Sequence, residues 1–337
     1  MARALTAVVV PALLAAIAAT GCSTNPATGR SQFNSLSREQ EIALGTEAMP
    51  QMINEYGGKV PSQGLQDYVT RIGKSLATHT EADNPSLPWE FTLLNANEIN
   101  AFATPGGKVY VARGLAERMT NEAQLAAVLG HEIGHVTARH ISEQISRQTG
   151  IQLGTAIGGA IIAGAAGEDN QTAATAAGVG LAVGGQLVGL HFSRAQESES
   201  DRLGLRYMTL AGYDPRGMEQ TMEILAQAAG SGRGIDFFAT HPDPAKRRAE
   251  VANLVRTQYA STQGSARYQL FADRFRSEFL TPLKSIPASP AKRGMAPGAG
   301  GEIALDQPVT WCAHCAAAAE KRRAQAARQT PAEALLP

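Results

Sequence analysis

The sequence lacks several things, and each absence removes a class of function. Net charge is missing: 30 basic side chains balance 30 acidic ones over 337 residues, so nothing in the composition recruits a polyanion, and no nucleic acid partner is expected. Long apolar runs are missing too. The stretch from Ala7 to Ala19, after a charged start at Arg3, is shorter than the roughly 20 residues that span a bilayer, so Met1 to Gly21 reads as a secretory leader. Cysteine is scarce, with only Cys22, Cys312 and Cys315. The last two stand in Trp311-Cys312-Ala313-His314-Cys315 without a strand-helix-strand frame, which argues against redox catalysis and for an oxidised pair or incidental metal binding. No repeat of about 34 residues recurs, so no helical-repeat array is expected.

What is present centres on His131-Glu132-Ile133-Gly134-His135. Leu125, Val128, Leu129, Ile133 and Val136 recur at steps of three and four, which predicts a helix with one buried face. Residues four apart on a helix lie one above the other, about 6 Å along the axis. His131 and His135 can therefore offer two imidazole nitrogens to one ion. Glu132 projects beside that ion, where it can polarise a water and take its proton, the zinc-hydrolase reading of His-Glu-x-x-His.

A third ligand is supplied downstream, in Glu197-Ser198-Glu199-Ser200-Asp201. Leu203, Leu205, Tyr207, Met208 and Leu210 predict a second helix, with Glu197 and Asp201 on one face. Glu197 completes a set of two histidines and a glutamate and leaves a fourth position for water or substrate. Asp201, one turn on, can accept the outer N–H of a ligand histidine and fix its tautomer, whereas Glu199 points elsewhere on the wheel. Farther on, His241 sits in Thr240-His241-Pro242-Asp243-Pro244. It can hydrogen-bond a developing oxyanion, or occupy the open metal position and keep the site latent.

Together with Arg247 and Arg248, Asn25-Pro26-Ala27-Thr28-Gly29-Arg30 and Asn100 to Gly107, these motifs resemble the HtpX and BepA group of zinc metallopeptidases, in the wider CAAX prenyl protease family. The resemblance runs from about residue 23 to 257 and is to the periplasmic lipoprotein members. It implies a gluzincin-like fold, one zinc ion per chain, and endopeptidase activity in envelope quality control. Unfolded or misassembled envelope proteins are the implied substrates, including outer-membrane barrels, with the outer-membrane assembly machinery as a partner. It also implies that Arg247 supports the His241 loop and that a histidine there goes with a latent state. Ala19-Thr20-Gly21-Cys22 looks like a lipoprotein processing site, although alanine replaces the usual leucine three places before the cysteine. Acylated Cys22 would anchor the chain in outer-membrane lipid, and Ser23 in place of Asp implies a periplasm-facing location.

The expected fold class is α+β, mainly helical, with a small antiparallel sheet beside the histidine helix. Helical periodicity covers 37–56 and 62–79. Trp89 to Leu94 and Lys108 to Val111, the latter after a Gly106-Gly107 turn, read as strands, with Asn100 to Ala103 as a candidate substrate-pairing edge. The expected division is 1–21 leader, 22–260 metallopeptidase domain and 261–337 extension, largely disordered from about 285 but with one more amphipathic helix from Tyr268 to Leu283. The Gly/Ala-rich insert at 150–190 reads as a lid, a packed hairpin or a membrane-contacting segment. Two other functions stay open: a chaperone or assembly scaffold with a latent zinc site, and an integral membrane protease whose insert crosses the bilayer.

Overall fold

The computed structural model describes residues 22–81, 87–150, 191–230, 237, 241 and 244–287. The leader to Gly21, the insert from 151 to 190 and the tail with Cys312 and Cys315 lie outside them. The first compact unit runs from Met1 to Lys292; the second, Arg293–Pro337, is outside the described residues.

A short hairpin comes first, β1 (Cys22–Thr24) antiparallel to β2 (Ser31–Phe33). Asn25 forms its turn by accepting from the Ala27 and Thr28 amides at 2.9 and 3.2 Å. Two long helices follow. α1 (Arg38–Glu55) opens at Ser37 with a capping box, the Gln40 side chain reaching back to the Ser37 amide at 2.7 Å, so two otherwise unpaired amides are satisfied. α2 (Gln63–Ala77) buries Leu65, Val69, Ile72 and Leu76, a stripe at helical spacing.

The sheet has three strands in the order β3-β5-β4, where β3 is Glu90–Leu94, β4 Ala101–Thr104 and β5 Lys108–Ala112. Gly106 and Gly107, at φ 76° and 87°, turn β4 tightly into β5, a backbone pair that side-chain-bearing residues rarely adopt. The sheet is mixed, where an antiparallel one was expected. β5 pairs antiparallel with β4 and parallel with β3, because the chain crosses from β3 to the far side of β5 before the tight turn brings it back. β5 is buried along its whole length, and β3 and β4 form the two edges.

After the single turn α3 (Arg113–Ala116) comes α4 (Glu122–Thr137), every residue of which is buried. A helix covered on all sides lies at the centre of its domain. Helical residues 140–150, α5, follow a break at Ala138 and Arg139. Then come α6 (Arg194–Leu210), α7 (Arg216–Gly230) and α8 (Pro244–Thr257). One hydrophobic core joins α2, the sheet, α4, α6, α7 and α8, through residues such as Val69, Val111, Leu129, Leu205, Leu225 and Val255.

The last described helix, α9, runs Ala272–Arg274, a π-helical turn Phe275–Leu280, and Thr281–Ser285. It starts later than its periodicity suggests because Phe271 is left-handed, at φ 52°. Phe275, Phe279 and Leu283 are fully buried in the same core, so that core continues past residue 260. Among the described residues, no helix is long and apolar enough to cross a membrane.

Candidate metal centre

Two helices carry most of the site, and their backbones touch. Asn121 caps α4 by accepting from the Gln124 amide at 3.1 Å. Ser193 and Gln196 form a capping box on α6, which puts Glu197 in its first turn, where the helix dipole favours a carboxylate. Glycine sets the spacing. A Cβ on Gly204 would lie 2.9 Å from the His131 amide nitrogen and 3.0 Å from the Gly130 carbonyl carbon, and one on Gly134 would lie 3.0 Å from Ser200 Cα. Only without side chains can α4 and α6 approach this closely, and that approach brings Glu197 to the two histidines.

One ligand atom each from His131, His135, Glu197 and His241 lies within 4.8 Å of the others, and all four residues are buried. His135 Nε2 is 3.1 Å from His131 Nε2 and 3.3 Å from Glu197 Oε1. His241 Nδ1 is 2.9 Å from Glu197 Oε1 and 3.4 Å from His131 Nε2. Glu132 stands beside this group, its Oε1 3.7 Å from His241 Nε2. Both of those atoms are buried without a hydrogen-bond partner. Three imidazoles and two carboxylates converging in a buried space, with orphaned polar atoms among them, are costly as they stand and fit a tetrahedral N/O-coordinated cation such as zinc.

The partners of this group are as ordered as the group itself. Asp201 Oδ1 is 2.8 Å from His131 Nδ1, and Arg247 on α8 donates to Asp201 through Nε and Nη2 at 2.8 and 2.7 Å while pairing with Glu197. Phe237 stacks on His241 with ring centroids 4.4 Å apart, and Phe192 covers His135 at 3.9 Å. Burial would raise the Glu197 and Asp201 carboxyls, but the positive charges facing them outweigh it and hold both below the ordinary range, Glu197 well below. Burial raises Glu132 despite nearby His241 and His131. It drives His135 well down, which keeps that imidazole neutral. His241 goes the other way: burial lowers it, but Glu197 and Glu132 together raise it.

All the site residues singled out in the sequence meet here except Cys22, which opens β1. Glu199 points away from the ligand group, as its place on the helical wheel predicts, but sequence reasoning missed its partner, His140. His140 is buried against His135, with Nδ1 3.0 Å from His135 Nδ1, and its Nε2 is 2.8 Å from Glu199 Oε2. The available signal was a further histidine just beyond a helix that stops. A continuous helix would have put it on another face.

Comparison with known proteins agrees with this geometry. The beta-barrel assembly-enhancing protease of Escherichia coli (strain K12) is 33% identical over 241 residues, 70% of this chain and 48% of the relative. Its Yersinia pestis counterpart is 31% identical over 250 residues, 73% and 50%. The mitochondrial metalloendopeptidase OMA1 of Schizosaccharomyces pombe is 32% identical over 229 residues, 67% and 64%. The chain thus spans about half the length of the bacterial relatives it matches. The model of peptidase family M48 matches residues 64–255, which include α4, α6 and most of α8 with every member of the buried group, and the chain belongs to that family.

Proposed function

We propose that the chain is a zinc-dependent endopeptidase of the bacterial cell envelope, with one zinc ion held by His131, His135 and Glu197. The observation that carries this reading is the buried convergence of those ligand atoms with Glu132 at their side. Bound there, zinc supplies Lewis acidity that polarises a peptide carbonyl and acidifies water. Glu132 is the general base: it accepts the water proton and returns it to the leaving amine nitrogen, and burial raises its affinity for that proton. Asp201 fixes His131 with Nδ1 protonated, so that Nε2 faces the cation. Arg247 balances the charge of Asp201 and Glu197. Strand β4, at the sheet edge, offers unpaired backbone groups to an extended substrate without regard to its sequence.

His241 acts as a latch rather than as an oxyanion donor. Its Nδ1 lies among the ligand atoms, 2.9 Å from Glu197 Oε1, so it would compete with water or a substrate carbonyl for a bound cation. The substrates are misfolded or misassembled envelope proteins, and the chain is anchored through acylated Cys22 to the outer membrane, facing the periplasm. The name of the Escherichia coli relative, which refers to beta-barrel assembly, supports an association with the outer-membrane assembly machinery.

Casein hydrolysis by the zinc-loaded chain tests the assignment. Wild type should cleave it, Glu132→Gln should lose about 100-fold or more while still binding one zinc, and His241→Ala should cleave faster than wild type. The presence of His241 among the converging ligand atoms also favours a second reading, an assembly scaffold with a latent zinc site. That reading gains if zinc binds one per chain but neither wild type nor His241→Ala hydrolyses protein.

A further inference from the structure

A second pair of side chains, outside the group of four, bears on a ligand histidine. His135 turns Nε2 toward His131 and Glu197 and Nδ1 toward His140 Nδ1, 3.0 Å away. His140 is fully buried, and its Nε2 is 2.8 Å from Glu199 Oε2. Glu199 is 3.5 Å from Arg30 Nη2 of the N-terminal hairpin, and Arg30 also grips Glu143 through two contacts of 3.0 and 2.8 Å.

Protons can be placed along this chain in one consistent way when His135 binds a cation. Two nitrogens at 3.0 Å share a single proton. A neutral imidazole that gives its Nε2 lone pair to a metal carries its proton on Nδ1. His135 therefore donates, and His140 Nδ1 accepts. The proton of His140 is then on Nε2, where the Glu199 carboxylate accepts it. His131 is treated the same way in one step, by Asp201 at 2.8 Å.

The backbone is bent to make this contact. On an unbroken helix a residue five positions beyond His135 would stand about 140° around the axis from it. Instead α4 ends at Thr137 and Arg139 takes a left-handed φ of 56°, turning His140 back toward His135. A non-glycine residue in that region persists only where its surroundings hold it. Arg139 is held by Glu41 Oε1 at 2.8 Å and the Leu36 carbonyl at 2.7 Å.

We propose that His140 and Glu199 are positioning residues of the metal centre, which hold His135 in the tautomer and orientation that present Nε2 to the cation, with Arg30 holding Glu199. This rests on the metal-centre reading above. Zinc affinity of the full chain, measured by competition with a chelator, and the visible absorption of the cobalt-loaded protein test it. His140→Leu should weaken zinc binding about 10- to 100-fold and alter the cobalt bands. His140→Asn, whose side-chain oxygen can accept from His135 Nδ1, should recover most of the loss. Glu199→Gln, which keeps an acceptor but removes the charge, should cost about tenfold. Wild-type affinity and cobalt bands in both His140→Leu and Glu199→Gln would overturn the proposal, as would an Asn variant no better than Leu. Should His140→Leu fail to fold, Glu199→Gln decides alone, and unchanged affinity there overturns it. A wild-type chain that binds no zinc would instead defeat the metal-centre reading itself.

Discussion

Glu122 has no part in the chemistry, yet it is among the most heavily committed side chains in the molecule. It is fully buried in the first turn of α4, accepts from Tyr68 and Tyr213 at 2.6 and 2.8 Å, and receives Arg274 at 2.7 Å through Nε. Burial would raise its carboxyl, but Arg274 and the two hydroxyls outweigh that and keep it below the ordinary value of 4.5. A carboxyl whose folded value is depressed contributes stability above its unfolded value and loses it as pH falls through the folded one. Glu122→Gln should therefore cost about 3 kcal/mol at pH near 7. The gap between the two urea midpoints should hold steady down to about pH 5 and close below the ordinary carboxyl value. A gap that widens in acid would contradict this account. At this scale the sequence was informative where chemistry dictates spacing: His131, Glu132, His135, Glu197 and Asp201 lie on helices whose period is written in the chain. Glu122, His140 and Glu199 were not legible, because their partners come from segments that no local period connects.

The helix pair α4 and α6 sets the site through backbone contact, and the consequence can be measured. Gly204→Ala would place a methyl 2.9 Å from the His131 amide and 3.0 Å from Gly130, too close for either helix to stay in place. The expected cost is about 1–3 kcal/mol, together with weaker zinc binding, because separating the helices draws Glu197 from the histidines. Calorimetry and chelator competition on one preparation would check both. Equal zinc affinity in a destabilised variant would mean that the helix spacing does not govern the ligands. Element by element, periodicity predicted α1, α2, α4 and α6, and alternation predicted β3 and β5. It did not predict that β3 and β5 run parallel, since strand direction is decided by where the β4 to β5 turn returns the chain. Nor did it predict the late start of α9, which depends on the left-handed backbone of Phe271.

For the molecule as a whole, the segment beyond residue 260 matters more than its composition suggests. Phe275 and Phe279 are fully buried and pack against Tyr68, with the Phe279 ring centroid 5.0 Å from it. Phe279→Ala should cost about 3–5 kcal/mol, and a chain ended at residue 260 should lose its cooperative unfolding transition while one ended at 287 keeps it. Thermal melts of the two truncations settle the matter; a sharp transition in the shorter chain would show that α9 is dispensable. The boundary was hard to read because Pro, Gly and charged residues dominate so soon after this helix that its few aromatics stand out little.

The N-terminal hairpin lies against the far end of the histidine helix: Asn25 Nδ2 donates to the Thr137 carbonyl at 2.9 Å and Gln32 Nε2 to the Ala138 carbonyl at 2.7 Å. From Cys22 to Asn25 is three residues, about 10 Å of fully extended chain. An acyl chain on Cys22 would therefore act as a very short leash. The working radius of the metal centre would be confined to a layer about one domain deep above the lipid headgroups. Polypeptides diffusing freely beyond that layer would be out of reach, and those stalled at the bilayer surface would be met at high local concentration. Selection of substrate would then begin with where a protein lingers, before any side chain is recognised.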